Sequence, residues 1–153
     1  MALSLLLHVL GVVVWVGGMF FAYMALRPVA ASVLEPPHRL TLWAGVFGRF
    51  FPWVWLSVLL ILLTGLHTLA LLGWLAAPHY VLAMLATGLL MMLIYFVVFF
   101  APYAKLKRAV AEQNWKAGGA ALAQIRQLIG INLALGLLTV VLVFAGRMMA
   151  AGA

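Results

Sequence analysis

Charged side chains are scarce in this sequence. Only 7% of the 153 residues are charged and only two are carboxylates, whereas 69% are hydrophobic and the mean hydropathy is +1.25. A water-soluble domain of this size has about a quarter of its residues charged. The composition therefore excludes a soluble domain and predicts a protein that lies in the lipid bilayer.

Cysteine is absent, which excludes disulfides and thiolate metal ligands. Any bound metal must then be held by histidine, methionine or tyrosine. The two carboxylates, Glu35 and Glu112, lie outside the apolar segments that contain histidine. Because the sequence offers no nucleophile–base pair, paired carboxylates or phosphate loop, we do not expect hydrolytic chemistry.

Four stretches of the chain contain no Asp, Glu, Lys or Arg. Each reaches the roughly 20 residues that cross about 30 Å of hydrocarbon as a helix, and helices satisfy their own backbone hydrogen bonds in lipid. We therefore predict an all-α, integral membrane four-helix bundle with one transmembrane domain, residues 1–153. The expected helices cover about residues 3–26, 50–74, 79–104 and 127–148, with loops at 27–49 and 105–126, the second of which is a helical extension broken at Gly118-Gly119.

The basic residues are distributed unevenly between the two ends of the expected bundle. Eight of the nine lie in or beside the two long loops, and only Arg147 lies at the other end. The positive-inside rule then places the loops in the cytoplasm and both termini on the outer, periplasmic side of a bacterial-type inner membrane. The net charge of +7 follows from this asymmetry and from contact with anionic headgroups, so it does not indicate nucleic-acid binding.

Two histidines, His8 and His67, lie inside apolar segments at matching depth, roughly 8–12 Å below the outer surface at 1.5 Å per helical residue. Polar groups at such depth usually belong to a functional site. A histidine can also simply form a hydrogen bond with a neighbouring helix. His79 lies nearer the outer interface, and His38 lies in the cytoplasmic Pro-containing loop, where we expect it to be solvated.

The helix face of His8 carries Gly11, Trp15 and Gly18. The two glycines predict either close helix–helix contact or a groove for a flat ring. An apolar groove with an imidazole on each wall suits haem b, bound axially by His8 and His67. Arg147 is then the expected partner of the haem propionates, or otherwise an interfacial anchor.

Copper is the alternative ligand. The sequence contains eight methionines, whose thioethers favour Cu(I), and a copper path would use them with His8, His67 and His79. Methionine also fills apolar cores without any metal role. Asn132, deep in the fourth helix, is expected to bond a neighbouring helix.

Residues 7–20, LHVLGVVVWVGGMF, resemble the first helix of CopD-like membrane proteins and of the related HemJ-type protoporphyrinogen oxidases. The resemblance extends over nearly the whole chain. It implies a four-helix membrane protein linked to copper uptake or tolerance on the CopD side, and haem b bound through His8 with oxidation of protoporphyrinogen IX on the HemJ side. HemJ proteins have a lysine near the start of the third helix, and residues 78–84 contain none. CopD-like is therefore the closer resemblance.

These observations favour a haem b protein that transfers electrons between a membrane quinol and an outer-face acceptor. Three alternatives stay open: a copper transport or tolerance protein, a protoporphyrinogen oxidase-like enzyme, and an accessory subunit without a cofactor. The expected partners are the lipid bilayer, a quinone or quinol, and a second copy of the chain in a homodimer.

The distribution of basic residues generates a topology prediction. A reporter fused after Ala153 should be active only on the outer side of the membrane. Paired reporters, one active outside and one inside the cell, measure this directly. Cytoplasmic activity of the C-terminal fusion would invert the orientation.

Overall fold

The computed structural model describes residues 2–73 and 76–151, and every secondary-structure element in these residues is helical. Four continuous stretches are long and apolar enough to cross a membrane. The predicted all-α membrane fold with four spanning helices is thus confirmed. The elements are α1 (Ala2–Phe21), a π-helical turn (Ala22–Leu26), α2 (Arg27–Val33), α3 (Pro36–Leu72), α4 (His79–Phe100), α5 (Pro102–Ala111) and α6 (Trp115–Ala151).

Side-chain contacts show that neighbouring spans are antiparallel. Near the start of α1, His8 contacts Thr64 near the end of α3. In the same way, Oγ1 of Thr87 on α4 lies 2.9 Å from Oγ1 of Thr139 on α6. One end of the bundle therefore holds the start of α1 and the end of α6, and we call it the histidine end. The opposite end, which we call the basic end, contains Arg27, Arg39, Arg49, Lys105, Lys107, Arg108, Lys116 and Arg126.

Helices, not loops, occupy most of the basic end. The segment 27–49, expected as a loop, and the segment 105–126, expected as a helical extension, are helical except around residues 34–35 and 112–114. Pro36 and Pro102 occupy the first turn of their helices, where a missing N–H costs no hydrogen bond, and Pro28 follows the π-helical turn within one continuous helical stretch. The 37 residues of α3 span about 55 Å, so α3 is far longer than the hydrocarbon layer is thick.

The connection between α5 and α6 differs from the expected break at Gly118-Gly119. The chain turns earlier, where Gln113 has a positive φ of 54° and Asn114 Oδ1 accepts a hydrogen bond from the Ala117 N–H at 3.1 Å. This is an N-cap, which starts a helix by satisfying one of its free N–H groups. The two glycines therefore lie inside the first turns of α6.

Aromatic side chains join α3 to α4 and α5. Phe51 packs edge-on against Tyr103 and Tyr95, with ring centroids 4.8 and 5.6 Å apart. The Tyr95 hydroxyl donates a hydrogen bond to the Phe51 carbonyl at 3.1 Å. Such pairs contribute beyond their buried area, so these aromatic contacts hold α3 firmly against α4 and α5 towards the basic end.

Gly118 and its neighbour Gly119 provide a matched test of packing at the basic end. A Cβ at Gly118 would lie 3.1 Å from Leu40 Cδ1 and 3.6 Å from Ala109 Cβ, whereas one at Gly119 would meet nothing within 4 Å. Gly118→Leu should therefore lower the free energy of unfolding by about 1–3 kcal/mol through overpacking. Gly119→Leu should leave it unchanged or raise it by up to about 1 kcal/mol, because leucine favours helix. Denaturation in detergent micelles measures both variants, and equal losses would contradict this packing.

Candidate functional site

His8 is the histidine that the structure places against a neighbouring span. Its side chain is half-buried, and its Nδ1 lies 2.9 Å from Oγ1 of Thr64 on α3. The Thr64 hydroxyl donates its own proton to the Leu60 carbonyl one turn earlier. Thr64 Oγ1 therefore accepts a hydrogen bond from Nδ1–H of His8, which assigns the tautomer. The lone pair of His8 then lies on Nε2, the form in which imidazole binds a metal.

The other histidines are on the outside of the bundle. His67 lies three residues after Thr64 but its side chain is exposed, as are those of His79 and His38. Among residues 2–73 and 76–151, no group of three or more His, Cys, Asp or Glu side chains lies close enough to hold a metal ion. Counting residues predicts the depth of His8 and His67 but not the direction of their side chains. In the structure His67 faces the outside of the bundle, whereas His8 faces α3.

The two glycines on the face of His8 support helix contact and not a groove. A Cβ at Gly11 would lie 3.0 Å from Ile61 Cγ1 and 3.2 Å from the Ser57 carbonyl oxygen. The ring of Phe50 occupies the space beside Gly18 in the same way. Of the two expectations, these distances match helix–helix contact, because α3 residues fill the space beside both glycines. A haem macrocycle between α1 and α3 does not fit these residues as they are packed.

Two further candidates, Trp15 and Arg147, lie in different surroundings. Trp15 is only 3% exposed and packs edge-on against Tyr95 with 6.0 Å between ring centroids. It is part of the bundle core. Arg147 is exposed near the end of α6, next to Gly146, which contacts Tyr80 of α4. Arg147 thus lies at the histidine end, as the sequence predicted.

A group of buried methionines lies in the centre of the bundle. Met19 of α1 and Met91 and Met92 of α4 are 3%, 5% and 7% exposed and belong to one packed core. We call these three residues the methionine cluster. The sequence leaves both core packing and copper binding open for the methionines, and the structure buries these three in one core from two different helices. Met91 Cε lies 3.1 Å from where a Cβ would stand on Gly136 of α6.

Asn132 is a buried polar residue without a complete set of hydrogen bonds. It is 3% exposed, and within the described part of the chain its Oδ1 has no hydrogen-bond partner. The sequence predicts that Asn132 bonds a neighbouring helix, and among residues 2–73 and 76–151 its Oδ1 accepts no such bond. Asn132 precedes Gly136 by one helical turn on the same face, so its amide lies one turn from the contact between α6 and Met91. A buried acceptor without a partner costs roughly 1–3 kcal/mol, which makes it a candidate ligand-facing group.

Comparison with family models shows the family of this chain. The model described as Copper resistance protein D, abbreviated CopD, matches residues 44–145, about two thirds of the chain. The matched residues include Met91, Met92 and Asn132, whereas His8 and Met19 precede them. Searches of curated proteins and of solved structures found no match.

The hydrogen bond between His8 and Thr64 can be measured with a double-mutant cycle. Thr64→Val removes the acceptor at nearly constant volume, and His8→Phe removes the donor. Their coupling should be about 0.6 kcal/mol and not more than about 1.7 kcal/mol, the range found for hydrogen bonds between membrane helices. Thr68→Val is the control, because the Thr68 hydroxyl bonds the Thr64 carbonyl of its own helix. A coupling energy of zero, measured by unfolding in detergent, would contradict the hydrogen bond between His8 and Thr64 and therefore the tautomer assignment.

Proposed function

Because the chain belongs to the CopD family of copper resistance proteins, we propose that it binds Cu(I) inside its helical bundle and passes it through the membrane. The observation that carries the proposal is a bundle interior that holds three buried methionines and, among the described residues, a buried Asn132 Oδ1 that has no hydrogen-bond partner. Thioethers are soft ligands that select Cu(I), and the chain has no cysteine to provide thiolates. A neutral set of donors also avoids burying an unpaired anionic ligand in hydrocarbon.

The proposed copper path has two positions along α1. His8 and Met19 are eleven residues apart, which is three helical turns, so they share a helix face about 16 Å apart. His8 Nε2 would receive the ion near the histidine end, and the methionine cluster would hold it in the centre. Trp15 lies between them on that face and packs against Tyr95. Transfer between the two positions therefore requires the Trp15 side chain to move.

The distribution of basic residues gives the orientation of the proposed path in the membrane. With the basic end in the cytoplasm, the histidine end faces the outside of a bacterial-type inner membrane. Copper would then reach His8 from the outer face. Haem b bound by His8 and His67, with electron transfer from a quinol, stays a separate prediction. The visible absorption spectrum of the purified protein tests it.

Cu(I) titration of the purified protein tests the copper proposal. Detergent-solubilised wild type should take Cu(I) from a chromophoric chelator under anaerobic conditions. Replacing Met19, Met91 and Met92 together by leucine keeps the core volume nearly constant and should weaken Cu(I) affinity at least about tenfold, equivalent to about 1.4 kcal/mol. His8→Ala should weaken it as well.

The control and the opposing outcome use the same material. Met148→Leu with Met149→Leu changes two methionines that are 75% and 76% exposed, so Cu(I) affinity should not change. Unchanged affinity in the triple variant would contradict the proposal. A Soret band in wild type that disappears in both His8→Ala and His67→Ala would instead support the haem prediction.

A further inference from the structure

The basic end contains a cavity that is separate from the proposed copper path. Its volume is about 510 Å³, and it lies between the π-helical turn with α2, the start of α3 and the first half of α6. Three arginines line it, one from each of these elements: Arg27, Arg39 and Arg126. Neither Glu35 nor Glu112 does. The cavity therefore concentrates positive charge that no carboxylate within it neutralises.

The floor of the arginine cavity is apolar. Trp43 and Phe47 of α3 and Ile125 of α6 line it and are 6%, 3% and 0% exposed. Towards the bilayer the lining includes Met24, which is 58% exposed. A ligand that fits this lining has an anionic group for the arginines and an apolar part for the floor and the lipid side.

Packing holds two of the arginines in place. The π-helical turn ends where the Arg27 N–H bonds the Ala22 carbonyl, and the Arg27 guanidinium lies 4.9 Å from the centre of the Tyr23 ring. Arg39 Nη1 lies 3.5 Å from the Ala31 carbonyl oxygen. These contacts reduce the side-chain entropy that binding an anion would cost. Single π-helical turns occur frequently at functional sites.

Two of the arginines lie at the same depth, at the boundary of the hydrocarbon. Tyr23 packs on Gly130 of α6, its ring atoms 3.2–3.3 Å from where a Cβ would stand. Arg27 follows Tyr23 by one turn and Arg126 precedes Gly130 by one turn, so in antiparallel helices the two arginines are level. Arg27 ends the charge-free stretch 3–26, and Arg126 precedes the charge-free stretch 127–146. Phospholipid headgroups lie at this depth.

We propose that the arginine cavity binds the phosphate-bearing headgroup of an anionic phospholipid, with an acyl chain leaving past Met24 into the bilayer. Guanidinium groups recognise phosphate oxygens with paired, charge-assisted hydrogen bonds. Basic pockets between membrane helices on the cytoplasmic side are a known arrangement for such lipids. Free inorganic phosphate shares the headgroup chemistry but has no apolar part for the floor.

Lipid titration in nanodiscs tests this site. The full-length protein is placed in phosphatidylcholine nanodiscs with increasing phosphatidylglycerol, and bound lipid is counted by native mass spectrometry. Arg27→Gln, Arg39→Gln and Arg126→Gln should each lower phosphatidylglycerol affinity about fivefold, the contribution of one basic residue at an anionic surface. Arg126 is exposed, so its substitution does not disturb the core. Arg126→Lys should lower phosphatidylglycerol affinity less than Arg126→Gln does, because lysine keeps the positive charge.

The matched control is Arg49→Gln, an exposed arginine of the basic end that does not line the cavity. It should leave phosphatidylglycerol affinity within about twofold of wild type. If Arg49→Gln lowered phosphatidylglycerol affinity as much as the cavity variants do, the lipid would be attracted by the basic surface in general and the proposed site would be wrong. Displacement of the lipid by an equal concentration of inorganic phosphate would overturn the lipid assignment. Cu(I) affinity should be unchanged in all five variants, so this proposal and the copper proposal fail independently.

Discussion

Every backbone polar group that crosses hydrocarbon must bond within its own chain, and the rest of this structure depends on that constraint. It explains why Pro36 and Pro102 stand in the first turns of their helices, where no N–H partner is lost. Pro28 and Pro52 lie inside continuous helical stretches, where each leaves one position of the backbone ladder without a donor. The same constraint explains the side-chain hydroxyls: those of Ser57, Thr68 and Thr87 bond carbonyls of their own helices. Tyr95 and Thr139 bond atoms of another span as packing contacts, so a polar side chain that leaves its own helix is a candidate for function only where it also leaves a ligand atom unused.

His8 and Asn132 are the two such side chains on which the functional argument depends. His8 donates its Nδ1–H to Thr64 and so presents the lone pair of Nε2 to a ligand, whereas the Asn132 Oδ1 is buried and has no hydrogen-bond partner in the described part of the chain. Neither is explained by packing alone, because an apolar residue would cost less at either position. Between them along α1 and α6 lies a core that contains three methionines. The soft donors and the incompletely satisfied polar groups thus occupy the same interior, which is the arrangement that a membrane path for a soft cation requires.

The sequence predicted the number and type of the membrane helices, because charge-free length depends only on composition and bilayer thickness. It did not predict where the helices end, since the turn at Gln113 depends on the Asn114 cap, and the glycines at 118 and 119 looked like a stronger break. For the site, counting residues predicted the depth of His8 and His67. Which way each side chain faces depends on how α3 rotates against α1, and that rotation is fixed by contacts such as Phe50 on Gly18. Such contacts between distant residues are not visible in a single sequence.

The two proposed sites are joined by a short piece of structure. Tyr23 borders the arginine cavity and packs on Gly130, and Asn132 follows only two residues later on α6. On α1, Met19 precedes Tyr23 by one helical turn, and Tyr23 belongs to the π-helical turn that lines the arginine cavity. The two sites therefore share one continuous helix but no ligand: the proposed copper donors are uncharged thioethers of the buried core, and the proposed lipid donors are guanidinium groups at the basic end. Replacing an arginine changes the charge of the cavity and leaves the methionine side chains in place, which is why the two sites can be tested one at a time.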